Sequence, residues 1–247
     1  MIKSVTIIKK ELLGYFTSPI AYIFIIIFLL LSSFLTFASP PFGNFLNNNY
    51  AGLSDAFFSF HPWLFLILIP PISMRMWSEE KKNGTIELMF TLPINIFSMT
   101  MGKYFAGLIV IFIAVILTFP IVITVNFLGV PDNNTILLSY LATILLGAGF
   151  LAIGSFASSI VKNQISAYII TFAILFILII AGHQSIISLF SSWSPLWLVN
   201  TISNIGVFTY LNNLRDGILN ISSISYFVSL IIIGIFSTCV SLNCNKT

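Results

Sequence analysis

The densest run of charged and hydroxyl side chains is Arg75-Met76-Trp77-Ser78-Glu79-Glu80-Lys81-Lys82-Asn83-Gly84-Thr85-Ile86-Glu87-Leu88-Met89-Phe90-Thr91-Leu92-Pro93. A carboxylate pair suits acid–base work, but adjacent Glu79 and Glu80 point about 100° apart on a helix and do not face one substrate. The pair Gly102-Lys103 lacks the upstream glycine loop and the following Ser/Thr of a phosphate-binding loop, so the chain cannot hydrolyse ATP by that route. A Gly-x-Ser-x-Gly elbow and a His beside a carboxylate are both missing from the sequence, which leaves hydrolysis without a nominee. Cys239 and Cys244 have no second Cys pair or nearby His to complete a zinc set. No catalytic or metal-binding residue is therefore expected.

The same run has a clear local grammar. Gly84 permits a sharp turn, Thr85 is a good N-cap, Glu87 sits where the helix dipole favours an anion, and Pro93 stops the next turn. The spacing predicts a short helix near 85–92, with Ile86, Met89 and Phe90 apolar beside the charges. Two roles fit such a unit. It could dock on another protein at a membrane surface, or rest on the membrane as a loop anchored by Trp77 and Lys81.

Composition says what carries this run. Of 247 residues, 58% are hydrophobic and 7% charged, against roughly 25% charged in an ordinary soluble domain. With a mean hydropathy of +1.06, a water-facing surface cannot be assembled from the chain. The 25 phenylalanines exceed what one soluble core needs, whereas lipid-facing helices absorb them. Apolar runs long enough to cross about 30 Å of hydrocarbon fall near 19–38, 61–77, 103–128, 136–160, 165–183 and 226–242. The second is the shortest and carries Pro70 and Pro71, which a membrane helix tolerates when neighbours satisfy the freed carbonyls.

Before the first span, Val5, Ile8, Leu12 and Phe16 recur near helical spacing while Lys3, Lys9, Lys10 and Glu11 stay polar, the pattern of a helix lying in the membrane interface. A cleaved signal peptide is the competing reading, but the apolar run is too long and Pro40-Pro41 would follow the cut. In the fourth span Gly147, Ala148, Ala152, Ser155 and Ser159 form a small-residue stripe, read as helix packing with a substrate path as the alternative.

Orientation follows from the basic residues. With the N-terminus cytoplasmic, Lys3, Lys9, Lys10, Arg75, Lys81, Lys82, Lys103, Lys162 and Lys246 fall inside and only Arg215 outside, so the positive-inside rule puts both termini in the cytoplasm. The middle of every span is then without a formal charge, which disfavours an ion-coupled carrier. His61 and His183 fall at outer ends of spans and read as interfacial polar groups rather than proton relays.

Several pieces of the chain resemble the type-2 ABC exporter permeases, and within them the gliding-motility F-type and nitrous-oxide-reductase maturation permeases. They are Lys10-Glu11-Leu12-x-x-Tyr15-Phe16-x-Ser18-Pro19-Ile20, then Pro71-x-x-x-Met74-Arg75 leading into Glu79-Glu80-Lys81-x-x-Gly84-Thr85-Ile86-Glu87-Leu88, then Leu92-Pro93 and Gly102-Lys103. Gly147 to Gly154, Ser158-Ser159 and Asn163-Gln164 extend the likeness. The resemblance implies an all-α polytopic permease forming one domain over 1–247. Its parts would be an elbow helix over 1–18 that includes Lys3, Lys9, Lys10 and Glu11, a cytoplasmic coupling segment over 78–102 between spans two and three, and short external helices within 184–225, where Trp193 and Trp197 are interface anchors.

The resemblance also implies that Glu79, Glu80, Gly84, Thr85, Glu87, Leu88 and Pro93 contact a separate ABC ATPase. That partner would bind ATP and Mg, with no cofactor on this chain. Two permeases, copies or paralogues, would pair in a bacterial inner membrane and move a substrate outward, with lipid and no nucleic acid as further contacts. A permease that transmits force to an envelope assembly without transporting is the alternative.

Overall fold

Short polar linkers start three of the long helices by one device, a side-chain oxygen that accepts from a backbone N–H two residues on. Asn95 accepts from Phe97 at 3.2 Å, Asp132 from Asn134 at 3.0 Å and Asn163 from Ile165 at 3.0 Å. Each junction therefore satisfies a donor that the first turn would leave orphaned.

The computed structural model describes residues 2–37, 53, 57–91, 93–183, 186–188 and 195–244, and these contain helices and no strand. In chain order the helices are α1 (Ile2–Thr17), α2 (Pro19–Phe37), α3 (His61–Ser73), α4 (Arg75–Lys82), α5 (Thr85–Thr91), α6 (Ile96–Ile116), α7 (Phe119–Leu128), α8 (Asn133–Ile160), α9 (Gln164–Ala181), α10 (Leu196–Ile205), α11 (Val207–Arg215) and α12 (Ile221–Cys244). Asn47 to Asn49, Trp193 and Leu92 lie outside the described residues, as does the side chain of Lys3.

Five stretches are long and apolar enough to cross a membrane: Pro19–Phe37, Ile96–Leu128, Asn133–Ile160, Gln164–Ala181 and Ile221–Cys244. They match five of the six expected spans, with two corrections of register. Ile96–Leu128 starts seven residues before position 103, and it is broken, because Pro120 has no N–H to continue the ladder and Leu117-Thr118 turn between α6 and α7. At the break the Thr118 hydroxyl donates to the Val115 carbonyl at 2.6 Å and also meets the Tyr140 hydroxyl at 2.8 Å.

The expected second span, 61–77, is divided. α3 has 13 residues, about 20 Å at 1.5 Å per residue, and α4 follows after Met74, whose φ of −58° and ψ of −29° keep the backbone near the helical direction. One other expectation changes here. His61 is buried rather than interfacial, with Phe28, Phe57, Phe58 and Phe65 rings 4.6–6.1 Å from its own and Nδ1 3.3 Å from the Thr143 hydroxyl. The segment expected to be external does contain two short helices, α10 and α11, with Trp197 exposed.

The bundle is built around α8. In its apolar stretch 67% of residues are buried inside the protein, against 28% for α2, α9 and α12, and it touches α3, α4, α6, α9, α11 and α12. Small residues make this possible. A Cβ on Gly154 would lie 2.2 Å from the Ser73 hydroxyl oxygen, so no larger residue lets α3 and α8 cross this closely.

Four residues further along α8, Ser158 reaches the joint between α3 and α4. Its hydroxyl donates to the Met74 carbonyl at 2.9 Å and accepts from the N–H of Trp77 at 3.0 Å and of Ser78 at 3.1 Å. These groups are buried, so one side chain caps the start of α4 from another helix. Replacing it by alanine strands the buried Trp77 N–H, an orphan of the first turn, which costs about 1–3 kcal/mol. Ser158→Ala is thus expected to lower the thermal unfolding midpoint of the purified protein, whereas Ser222→Ala, whose residue is exposed, is expected to leave it unchanged.

Candidate functional site

Beyond α3 the chain leaves the apolar interior, and α4 and α5 carry the charged run. α4 ends at Asn83, and Gly84 then takes φ +71°, the left-handed region that an L side chain rarely adopts. α5 begins at Thr85 itself. The Thr85 hydroxyl donates to the Glu80 carbonyl at 3.4 Å, so Thr85 ties the turn back to α4 and is not the N-cap that its sequence position suggests.

The apolar face of α5 is occupied from within. Ile86, Met89 and Phe90 pack against the protein's own core, which leaves Glu87, Leu88 and Thr91 exposed. Leu88 is 68% exposed and Pro93, just past the helix, is also exposed. The surface open to a partner is therefore the polar edge with one leucine, not the Ile86–Met89–Phe90 face.

What holds α4 in place is a charge cluster that the sequence did not reveal. Lys103 lies on the eighth residue of α6, 3% exposed, roughly 10 Å along the helix from its start. Its ammonium contacts Glu80 Oε1 at 2.6 Å and Glu11 Oε1 at 3.1 Å, and sits 5.2 Å from the centre of the Trp77 ring. One cation thereby joins α1, α4 and α6.

Burial pushes the Glu80 carboxyl above its ordinary value, while the Lys103 charge and hydrogen bond pull the other way. Glu80 Oε2 is buried with no hydrogen-bond partner. The cluster is a paired but incompletely satisfied set of charges, of the kind that breaks badly when one member is removed.

Two further contacts fix the same unit. The buried Tyr15 hydroxyl donates to the Ile72 carbonyl at 3.3 Å, tying α1 to α3; burial first, then the Glu11 carboxylate, push its pKa above the ordinary value, so it remains a neutral donor. The Lys81 ammonium donates to the Ser159 carbonyl in the last turn of α8, where the helix dipole favours a cation. Burial, then the charge of Lys162, lower the Lys81 pKa. Lys81 thus anchors on protein, not on a membrane surface.

The residues expected to act together divide into two sets. Glu11 and Glu80 meet through Lys103, with Glu79 nearby on α4, lining a cleft with Glu11, Tyr15 and Arg75. Gly84, Thr85, Glu87, Leu88 and Pro93 form the turn and the exposed edge beyond. Lys9 and Lys10 are exposed on α1 and do not join the cluster. Lys103, Trp77, Tyr15 and Ser158 were missed as site residues. A lone lysine inside an apolar run was the available signal, since a charge in that setting demands partners.

Apolar helices of this length define a multi-pass membrane protein, with most of its charged residues at one end of the bundle around α1, α4 and α5 and with Asp132, Arg215 and Asp216 at the other. The profile of the ABC-2 family transporter proteins matches residues 5–242. That is nearly the whole chain, and the chain belongs to this family of ABC-transporter membrane components, which work with an ABC ATPase and commonly as dimers. A comparison with curated protein sequences finds no match.

Lys103→Met should cost about 3 kcal/mol, the low end for a broken buried pair because the carboxylates are 16–22% exposed. Without the lysine, burial holds the folded-state pKa of Glu80 above its unfolded value. The stability this group contributes is then full below the unfolded pKa and is lost as pH rises through the folded pKa. The melting temperature of Lys103→Met is therefore expected to recover as pH falls, and adding Glu80→Gln should restore part of the loss at neutral pH. A variant that melts like the parent at every pH would show that the cluster carries no stability.

Proposed function

We propose that this chain is the membrane-spanning subunit of an ABC exporter, in which α4 and α5 receive the motion of a separate ATPase and pass it to the membrane helices. The observation that supports this reading is the Lys103 cluster, because it fastens the surface segment to both the elbow helix and the third span. A push on α5 is carried by α4, which is held to α8 by Ser158 near its start and through its own Lys81 near its end, and to α6 by the Glu80–Lys103 pair. α5 itself is seated on the core, so displacement at its exposed edge is not absorbed by a loose loop.

Two such chains, identical or paralogous, pair with two ATPase subunits. Each ATPase binds ATP and Mg; this chain contributes no ATPase site and no cofactor. ATP-driven closure of the ATPases moves the membrane halves between inward-facing and outward-facing states and exports the substrate across a bacterial inner membrane. Both termini and α5 lie on the cytoplasmic side, where the basic residues favour them. Glu79, Glu80, Gly84, Thr85, Glu87, Leu88 and Pro93 act in three layers: Glu79 and Glu80 on α4 transmit inward, Gly84 and Thr85 set the turn, and Glu87, Leu88 and Pro93 meet the ATPase. Lys3, Lys9 and Lys10 hold the elbow to anionic lipid.

Glu87→Arg tests the reading. The residue is exposed, so folding and dimer assembly are expected to persist. Loss of a charged contact buried in an interface costs about 2 kcal/mol or more, roughly a thirtyfold weaker association with the ATPase. Lys162→Glu, a charge change outside α5, should have a smaller effect. ATPase binding and stimulation by Glu87→Arg equal to those of the parent would remove α5 as the docking element.

A further inference from the structure

Between α1 and α4 the charged end of the bundle holds a cleft of about 280 Å³, lined by Glu11, Gly14, Tyr15, Ser18, Arg75 and Glu79. Arg75 and Glu79 are four residues apart on α4, the spacing at which opposite charges usually meet. Here Arg75 and Glu79 form no ion pair with each other, in contrast to Lys103 with its two carboxylates. Arg75 Nε is moreover buried with no hydrogen-bond partner. A cation and an anion thus stand side by side in one cleft, each without the other. Nε is closed off from the cleft, so the donors that a ligand there would meet are the guanidinium Nη groups, which have no partner among the described residues.

A helix face continues from this cleft. Ser18 lines it, and at successive steps of four along α2 come Tyr22, Ile26, Leu30 and Phe34, a ridge that winds about 40° per step around the helix, each residue 52–64% exposed. The site therefore has a mixed-charge head and an apolar track leading from it into the span. We propose that it holds the zwitterionic headgroup of an aminophospholipid such as phosphatidylethanolamine, with the phosphate on Arg75, the ammonium on Glu79 and an acyl chain along Tyr22, Ile26, Leu30 and Phe34. An anionic lipid without an amine leaves Glu79 unpaired, and a quaternary amine offers no N–H to the carboxylate. Tyr15 and Glu11, the link between α1 and the Lys103 cluster, form one wall, so a bound lipid braces the elbow against α4. The inference requires only that the chain be membrane-embedded; it shares Glu79 with the ATPase relay, but lipid retention is read on the permease alone, so the two fail separately.

Gly14 supplies a clean test. A Cβ there meets nothing within 4 Å, so Gly14→Leu projects into the cleft without displacing core atoms, and it raises helix propensity in α1. Native mass spectrometry of the full-length protein, purified in detergent, would be titrated with phosphatidylethanolamine, phosphatidylglycerol, phosphatidylcholine and soluble phosphoethanolamine. The expected result is one phosphatidylethanolamine retained per chain at least tenfold better than the other three. Gly14→Leu should abolish this retention with an unchanged melting temperature, and Arg75→Gln and Glu79→Gln should each weaken it about tenfold. Equal retention of phosphatidylglycerol overturns the zwitterion assignment, and equal binding of phosphoethanolamine overturns the lipid. Retention unchanged in Gly14→Leu overturns the site; so does a dimer that falls to monomer in that variant with lipid retention intact, which would make this face a contact between copies.

Discussion

Lys103 places a formal charge inside an apolar helix with almost none of its surface in water, and a lone ammonium there would be prohibitively costly. Its partners must therefore come to it. Glu11 arrives from α1 and Glu80 from α4, and Trp77 offers the face of its ring. The elbow helix could otherwise have floated in the interface on its apolar face alone, and α4 could have swung from Met74. Satisfying one lysine gives both a fixed position on α6.

The rest of the charged end is arranged so that this position is rigid. α8 contributes at two points, with Ser158 supplying the start of α4 and the Ser159 carbonyl receiving Lys81. Gly154 lets α3 come close enough for those contacts to form. On the far side Gly84 turns the chain sharply and α5 folds its apolar residues back onto the core. A surface segment made of two short helices thereby acquires the stiffness of the bundle below it. That is what a device for relaying displacement needs, since motion spent on bending a loop does not reach the membrane.

Much of this was legible in the sequence because the bilayer imposes long apolar runs that a linear scan detects. Five spans, the elbow helix and the helix over Thr85–Thr91 follow from run length, periodicity and the Gly84 and Pro93 punctuation. The less legible features are those in which distant residues satisfy one another. Lys103 reads as one more cytoplasmic lysine until Glu11, 92 residues earlier, and Glu80 are brought beside it. His61 reads as a polar end-group until four phenylalanine rings enclose it. Ile86, Met89 and Phe90 look like a docking face because local amphipathicity does not say whether the partner is another chain or the protein's own core.

The central claim is that α1, α4 and the start of α6 move as one body around Lys103. Spin labels at positions 9 and 82, both exposed, would report the separation of α1 from α4 by pulsed electron paramagnetic resonance in the reconstituted complex with its ATPase. With Cys239 and Cys244 replaced, the distance distribution should stay within about 2 Å between nucleotide-free and ATP-bound states, the scale of small packing adjustments. A change of about 5 Å, one helical turn, would show that α1 and α4 part between these states and that the cluster is not their common anchor.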